Sequence, residues 1–455
     1  MADLLVRNAE LVATVDAGRR ELAGGWVAVT GGVVSGLGGP ADEAPAADTV
    51  LDAAGCLVTP GLVNTHHHIY QNLTRAYGPA LRGSLFDWLV TLYPLWTRLD
   101  EEAAYVSAYV GLTELALGGC TTSTDHLYVH PRGAGDLISA EIAAATELGM
   151  RFHPTRGSMS LSRKDGGLPP DSVVQEDDEI LADSERLVRL HHDPSPTAMV
   201  RVALAPCSPF SVTPRLMRAT AELAERLDVR LHTHLSEDRD EDEFCLKQFG
   251  MRPIELFEEV GWGTDRSWVA HCVWPNAAET ARLGRWGTGV AHCPSSNMIL
   301  GAGLAPVAEL RAAGAPVGLG CDGSASADSA SLWLEARTAM LQGKLRGGPA
   351  STSARDALEI ATRGGAAVLG RAGEIGELSV GACGDLVVWP LTGVAYAGAL
   401  SDPVEAWLRC GPLAARHTVV AGRPVVLDGT PVHPGLDDVL ARHRTAAAAM
   451  QAAPD

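Results

Sequence analysis

The feature that most constrains the fold is a regular alternation of apolar segments with helical patterns through the middle of the chain. One helical stretch opens at Thr213, which suits an N-cap, and Pro214, which suits a first turn. Leu216, Leu223 and Leu227 follow it at helical spacing. Eight strand–helix units close into a (β/α)₈ barrel, so we predict an α/β protein of this class. The eight predicted strands end near Asn64, Asp125, Arg156, Pro206, His234, His271, His292 and Asp322.

The two ends of the chain together predict one small β-module. Segments rich in Val and Leu occupy residues 4–15, 26–34 and 49–57, and matching ones occupy 385–389 and 417–422. Because 455 residues exceed what one core usually holds, we expect a composite β-sandwich formed from both termini beside the barrel. The predicted boundaries are 1–59 and 376–435 for the two parts of the sandwich, 60–375 for the barrel and 436–455 for a C-terminal helical tail.

The composition restricts the partners and the compartment. A formal net charge of −19 argues against a nucleic-acid backbone as partner. No apolar run approaches the ~20 residues that cross a membrane, and we expect neither membrane association nor a signal peptide. Nine cysteines without a C-x-x-C pair are typical of reduced thiols in the cytoplasm. We therefore expect a cytoplasmic protein whose partner is a small molecule, and the sequence leaves homo-oligomerisation open.

Four residues at predicted strand ends have the chemistry of a metal site. In Thr65-His66-His67-His68 the residues at i and i+2 point the same way on a strand, so His66 and His68 can bind one ion. His234 adds a third imidazole and Asp322 a carboxylate. This set leaves a position for water, as a catalytic metal requires. We predict one divalent ion, with Zn²⁺ as the first expectation and Fe²⁺ as the alternative, because imidazole suits both.

Three residues beside this site predict hydrolytic chemistry. A metal ion lowers the pKa of its bound water to near neutrality. Glu237, three residues past His234, is the predicted proton donor and shuttle. Asp322 can accept the proton of the water, and His271 on the next strand can polarise the water or the intermediate. Of the other histidines, we expect His67 and His232 to support the site, and His292 either to contact substrate or to brace its loop.

Two connections are too long to be simple links between elements. Residues 69–100 carry the aromatic side chains Trp88, Tyr93 and Trp96, and residues 158–171 are rich in Gly and Pro. Both follow predicted strand ends, so we expect both to cover the pocket.

These motifs resemble the amidohydrolase superfamily, in particular its cytosine-deaminase-like aminohydrolase branch with one metal ion. The resemblance implies a barrel with a composite β-sandwich, a zinc or iron ion, and hydrolytic deamination of aromatic rings. It rests on residues 60–68, 234–237, 271, 292–297 and 322–326.

Residues 155–161, 164–170, 205–214 and 244–246 are similar to those of the 8-oxoguanine deaminases. That resemblance implies a hydrolase of C–N bonds in cyclic amidines, which converts 8-oxoguanine into urate and ammonia. Metal-bound hydroxide would attack the amino-bearing ring carbon, with Glu237 as proton shuttle. It also implies that Gln71, Arg156 and Cys207 contact the ring.

Two alternatives stay open at this point. The first is a related 2-amino-azine substrate, such as isocytosine, guanine or an amino-triazine, because Ile299, Ala302 and residues 272–275 depart from the expected pattern near the pocket. The second is a catalytically silent barrel used for assembly. Silent relatives typically lose metal ligands, whereas all four predicted ligands and Glu237 are present here.

Overall fold

A computed structural model describes residues 1–399 and 401–452 of the chain. Its strands form a closed parallel barrel and two further sheets. The strands are β1 (Ala2–Arg7), β2 (Leu11–Ala13), β3 (Glu21–Ala23), β4 (Trp26–Thr30), β5 (Val33–Gly38), β6 (Ala47–Asp52), β7 (Cys56–Pro60), β8 (Leu62–Asn64), β9 (Cys120–Leu127), β10 (Arg151–Ser158), β11 (Ala203–Pro206), β12 (Leu231–Leu235), β13 (Ser267–His271), β14 (Gly289–His292), β15 (Val317–Leu319), β16 (Leu386–Pro390), β17 (His417–Val420), β18 (Arg423–Leu427) and β19 (Thr430–Pro431).

Helices alternate with the barrel strands, and several begin at a side-chain cap. Thr213 accepts a hydrogen bond from the backbone N–H of Leu216, as expected for an N-cap, and Pro214 opens the helix. The helices are α1 (Leu85–Trp96), α2 (Glu101–Leu117), α3 (Leu137–Leu148), α4 (Asp177–His191), α5 (Pro214–Leu227), α6 (Arg239–Phe249), α7 (Pro253–Glu259), α8 (Ala277–Trp286), α9 (Pro294–Ile299), α10 (Val307–Ala312), α11 (Leu332–Gly347), α12 (Ala354–Glu359), α13 (Gly365–Val368), α14 (Pro403–Arg409) and α15 (Leu436–Gln451).

The barrel consists of β8 to β15, with each strand parallel to its neighbours and β15 closing onto β8. The predicted (β/α)₈ class is therefore confirmed. Four of the strands, β8, β11, β13 and β14, end at the residue predicted from the sequence. The largest difference is at β15, which ends at Leu319, so that Asp322 lies in the loop beyond it.

A sandwich formed from both ends of the chain packs beside the barrel, as expected. One sheet has the order β5-β4-β1-β6 and the other β19-β18-β17-β16-β7-β2-β3. In the second sheet β7 pairs antiparallel with β16, which joins the two chain ends in one layer. Val27, Val29, Leu386 and Val388 are among the apolar side chains buried between the two sheets. The exact domain boundaries stay predictions.

Arginines lie at the amino-terminal end of the barrel, next to the sandwich. Arg151, the first residue of β10, forms a two-point ion pair with Asp385, with N–O distances of 2.9 and 3.0 Å. Both side chains are 1% exposed. Arg201 and Arg371 both bond Glu374, each at 2.9 Å. These contacts fix the sandwich against the lower end of the barrel.

The last helix packs on the barrel rather than extending from it. In α15, His443 lies 2.9 Å from Oδ1 of Asn72, and Gln451 donates to the carbonyl of Leu73 at 2.6 Å. The helix thereby braces the turn at Ile69–Thr74. The predicted tail ran to residue 455, and residues 453–455 lie outside the described part. Each helix within 1–399 and 401–452 is too short or too polar to cross a bilayer.

Candidate active site

The carboxyl-terminal end of the barrel brings the four predicted metal ligands together. Nε2 of His66 and Nε2 of His68 each lie 3.4 Å from Oδ1 of Asp322. Nε2 of His68 lies 3.0 Å from Nε2 of His234. All four side chains are buried. Their metal-binding role stays a prediction that this geometry supports.

The hydrogen bonds around the rings determine which nitrogen atoms face the centre. Nδ1 of His68 donates to the carbonyl of His126, and Nδ1 of His234 donates to the carbonyl of Cys207, both at 2.7 Å. A neutral imidazole carries one N–H, so each Nε2 holds a bare lone pair. Two lone pairs 3.0 Å apart repel unless a cation lies beside both.

His66 is oriented by a chain of two further bonds. Nδ1 of His232 donates to the carbonyl of Trp268 at 3.0 Å, which leaves Nε2 of His232 as an acceptor. Nδ1 of His66 lies 2.8 Å from that acceptor and donates to it. Nε2 of His66 is therefore also bare, and it has no hydrogen-bond partner among the described residues. His232 supports the site through His66, as the sequence predicted.

This donor set fits a divalent metal ion. Burial lowers the pKa of His66, His68 and His234, so the rings are neutral at pH 7, the form that binds metal. Their ligand atoms lie within 4.8 Å of others in the same cluster. Three neutral nitrogens and one carboxylate oxygen suit zinc or iron.

Asp322 and its neighbours have strained backbones. Burial alone would raise the pKa of Asp322, but the hydrogen bond from His66 and the charges of His271, His66 and His68 hold it well below its ordinary value. Ser236, His271 and Asp322 have φ angles of 55°, 68° and 59°, the left-handed region that side chains rarely adopt. Such strain collects at functional sites, where surrounding contacts hold it in place.

Glu237 lies at the edge of the histidine cluster with its carboxyl group 3.6 Å from Nε2 of His271. Burial, with the negative charges of Asp322 and Asp238, raises the pKa of Glu237 well above its ordinary value. The backbone N–H groups of Ser236 and Glu237 donate to the carboxylate of Glu241 at 2.9 and 2.8 Å. Glu237 is thus a protonated acid at neutral pH on a loop fixed from α6.

A cavity of about 30 Å³ lies over these groups, about the volume of one water molecule. Helix α1 covers it, and Nε1 of Trp88 donates to the carbonyl of Ala325 at 3.2 Å, which ties the helix to the loop after Asp322. Residues 69–100 cover the pocket as expected. The cavity is lined by His68, Gln71, Leu85, Trp88, Leu89, Tyr93, Tyr128, Cys207, Phe210, His234, Glu237, His271, Leu300, Asp322 and Ser326.

Two of the three predicted ring contacts face this cavity. Oε1 of Gln71 is buried without a hydrogen-bond partner in the described chain, and it packs so closely on Gly323 that a Cβ there would lie 1.8 Å away. Cys207 also lines the cavity. Burial raises the pKa of Cys207 to about 12, so its thiol is neutral and serves as a contact rather than a nucleophile.

Comparison with known proteins agrees with this geometry. The amidohydrolase family model matches residues 57–424, which is most of the chain. The chain belongs to the amidohydrolase family. It is therefore a metal-dependent hydrolase acting on C–N bonds.

Individual amidohydrolases are similar to this one over nearly its full length. An 8-oxoguanine deaminase of Pseudomonas aeruginosa is 49% identical over 430 residues, covering 94% of this chain and 95% of that one. A hydroxydechloroatrazine ethylaminohydrolase of Pseudomonas sp. is 38% identical, covering 86% and 82%. The structure of an atrazine chlorohydrolase of Arthrobacter aurescens in complex with zinc superposes with a TM-score of 0.93 at 33% identity, covering 98% and 100%.

One predicted ring contact of this amidohydrolase lies elsewhere. The guanidinium of Arg156 points out of the barrel, where it donates to Asp183 at 2.8 Å and to Gln175 at 2.9 Å. It does not line the cavity, which corrects the expectation from the sequence. Residues 158–171 do not line the cavity either. Lys164 and Asp165 from that segment border a separate, open groove on the outer side.

Two residues of the site escaped prediction. His126 stacks on His234 with ring centroids 4.9 Å apart, and its Nδ1 has no partner within the described residues. Tyr128 lines the cavity, and its hydroxyl accepts a hydrogen bond from Gln71 at 3.4 Å. His126 directly follows Asp125, a predicted strand end, so the position of a strand end was the available signal.

Proposed function

We propose that this amidohydrolase deaminates 8-oxoguanine: the purine and one water molecule give urate and ammonia. The observation that carries the choice of substrate is the 49% identity to an 8-oxoguanine deaminase across 94% of the chain. The buried acid Glu237 beside the histidine cluster supports the reaction type, because replacement of an aromatic amino group by water requires a proton for the ring.

His66, His68, His234 and Asp322 would hold the metal ion, and we propose Zn²⁺. When bound there, the ion lowers the pKa of a water molecule and makes it nucleophilic near neutral pH. The zinc in the similar atrazine chlorohydrolase structure supports this choice.

Glu237 supplies the proton in the proposed reaction. Its raised pKa keeps it protonated until substrate arrives, and it donates to the ring nitrogen beside the carbon that water attacks. Asp322 is ionised and accepts the proton that the water loses. Glu237 then returns a proton to the amino group, which leaves as ammonia. His271, 3.6 Å from Glu237, orients the carboxyl group during these transfers.

Gln71 and Cys207 orient the ring. The unpartnered Oε1 of Gln71 accepts from a ring N–H, which the purine supplies in its imide and urea portions. Trp88, Tyr93 and Phe210 offer flat apolar surface above the histidines. A cavity of about 30 Å³ is too small for a purine, so α1 must move outward to admit it.

Turnover of 8-oxoguanine by zinc-loaded enzyme, followed by ultraviolet absorbance with urate and ammonia quantified, tests the proposal. We expect equal amounts of both products and none from Glu237→Gln. Metal-loaded wild type that leaves 8-oxoguanine unchanged would contradict it.

A second candidate substrate is another 2-amino-azine. The 38% identity to a hydroxydechloroatrazine ethylaminohydrolase favours this alternative within the same chemistry. Ammonia release measured side by side on isocytosine, guanine and an amino-triazine separates the two. A higher kcat/KM for any of these than for 8-oxoguanine would replace the first proposal by the second.

A further inference from the structure

A second cavity lies outside the barrel, away from the histidine cluster. It has a volume of about 210 Å³ and lies between α10, α11 and α12. Its wall is mainly aliphatic and includes Leu304, Val307, Met340 and Ile360. It shares no lining residue with the cavity over Glu237. A protein cavity of about 150 Å³ binds benzene, so a one- or two-ring compound fits here.

His292 contributes a buried polar group to this wall. It is the last residue of β14 and is 1% exposed, and its side chain points out of the barrel toward α11. Its Nδ1 has no hydrogen-bond partner in the part of the chain that the structure describes. The sequence left open whether His292 contacts substrate, and the structure places it behind the barrel wall instead.

The other nitrogen of His292 is engaged by Gln342 of α11. The amide nitrogen of Gln342 donates to the carbonyl of Pro294 at 3.3 Å, which leaves its amide oxygen for the imidazole. A hydrogen bond from the ring to Gln342 partly offsets burial, which lowers the pKa of His292 to about 4. The ring is therefore neutral at pH 7, and Nδ1 carries a bare lone pair. A buried acceptor without a donor costs free energy, which a ligand with one N–H or O–H would recover.

The charged groups at the cavity already have partners. Arg346 pairs with Glu309 at 2.7 Å, and Arg311 pairs with Glu359 at 3.3 Å. Asp356 caps the first turn of α12. An ionic ligand would have to break one of these contacts, so the cavity suits a neutral molecule.

We propose that this cavity is a second small-molecule site, which takes a neutral, flat, mainly apolar ring compound with one N–H or O–H donor for Nδ1 of His292. The occupant would lie against the end of β14, whose last carbonyl accepts the backbone N–H of Gly320 at 2.9 Å. That contact joins the cavity wall to the strand that precedes Asp322. The proposal is independent of which amino-azine the active site deaminates.

Indole and benzothiophene test the donor requirement, because they share a shape and only indole has an N–H. Calorimetry on the zinc-loaded enzyme should show one indole site, with benzothiophene about fivefold weaker, the ratio expected for one neutral hydrogen bond. Crystals soaked in 5-bromoindole should give an anomalous bromine peak between α10 and α11. A peak confined to the barrel mouth, no peak, or equal binding of the two compounds would overturn the proposal.

Two variants on one exposed helix face provide the matched comparison. Ala308 is exposed on α10 and borders the cavity, whereas Ala312 is exposed on the same helix and does not. Ala308→Phe should cover the mouth and weaken indole binding at least about tenfold, while Ala312→Phe leaves it unchanged. Both positions face solvent, so neither variant disturbs the core. Equal affinity in the two variants would contradict the assigned location.

Discussion

The two ends of the barrel treat buried polar groups in opposite ways. At the amino-terminal end, Arg151 and Asp385 are both 1% exposed and form a two-point ion pair. At the carboxyl-terminal end, Nε2 of His68 and Nε2 of His234 face each other at 3.0 Å without a proton between them. The first arrangement is complete within the chain, whereas the second requires a cation. Stability and catalysis are therefore assigned to opposite ends of the same strands.

The largest effect should come from His234→Ala at the carboxyl-terminal end. Without this ring we expect the enzyme to lose its metal ion and at least about 10⁴-fold in turnover, because the pKa of the attacking water returns toward ~15.7. Metal analysis and kcat check this. As a control, His191→Ala changes a histidine whose ring contacts Ser139 at 2.8 Å on the outer helices, and it should keep both metal and activity. Full metal content in His234→Ala would remove it from the ligand set.

Glu237→Gln should separate metal binding from proton transfer within the same end. The amide fills the same space but cannot donate a carboxylic proton, so we expect kcat to fall about 10²–10⁴-fold. Metal content should stay at the wild-type level. A variant that turns over at the wild-type rate would exclude Glu237 as the acid.

Asp385→Asn should show the reverse pattern at the amino-terminal end. It leaves the buried guanidinium of Arg151 without a charge partner, at a cost of about 3–5 kcal/mol in the free energy of unfolding. Metal content and kcat of the folded enzyme should not change. Denaturation in guanidinium chloride measures the loss. Arg442→Gln removes a half-exposed pair with Glu102 and should cost less than about 1 kcal/mol. Similar losses in the two variants would refute the difference drawn here.

His232→Phe should give the smallest change. Phe keeps the stacking on Trp268, where the ring centroids lie 4.4 Å apart, but removes the acceptor for Nδ1 of His66. We expect metal affinity to weaken about 10–100-fold, as for other residues that orient a ligand. At saturating zinc, kcat should largely recover. Competition with a chelator measures the affinity, and His232→Gln, which keeps an acceptor, should restore part of it.

Much of the fold and the cluster was predictable, and burial explains what was not. The spacing of His66 and His68 and the strand end at His234 are local signals, and the structure brings these residues to Asp322. Arg156 was misplaced because every residue of β10 is buried, so no polar alternation shows which side chains face the barrel interior. The same uniform burial in β9 concealed His126. The contact of α15 with the turn at Ile69–Thr74 joins distant segments and leaves no local pattern.

The pairing of β7 with β16 has a consequence for biosynthesis. The two strands lie on the order of 300 residues apart, so at about 5–20 residues per second the ribosome needs tens of seconds to supply the partner of β7. Throughout that interval the apolar edge formed by Leu57 and Val58 has no neighbouring strand. The nascent chain thus carries an unpaired, aggregation-prone edge until its last fifth emerges, and chaperone protection during translation matters most at this segment.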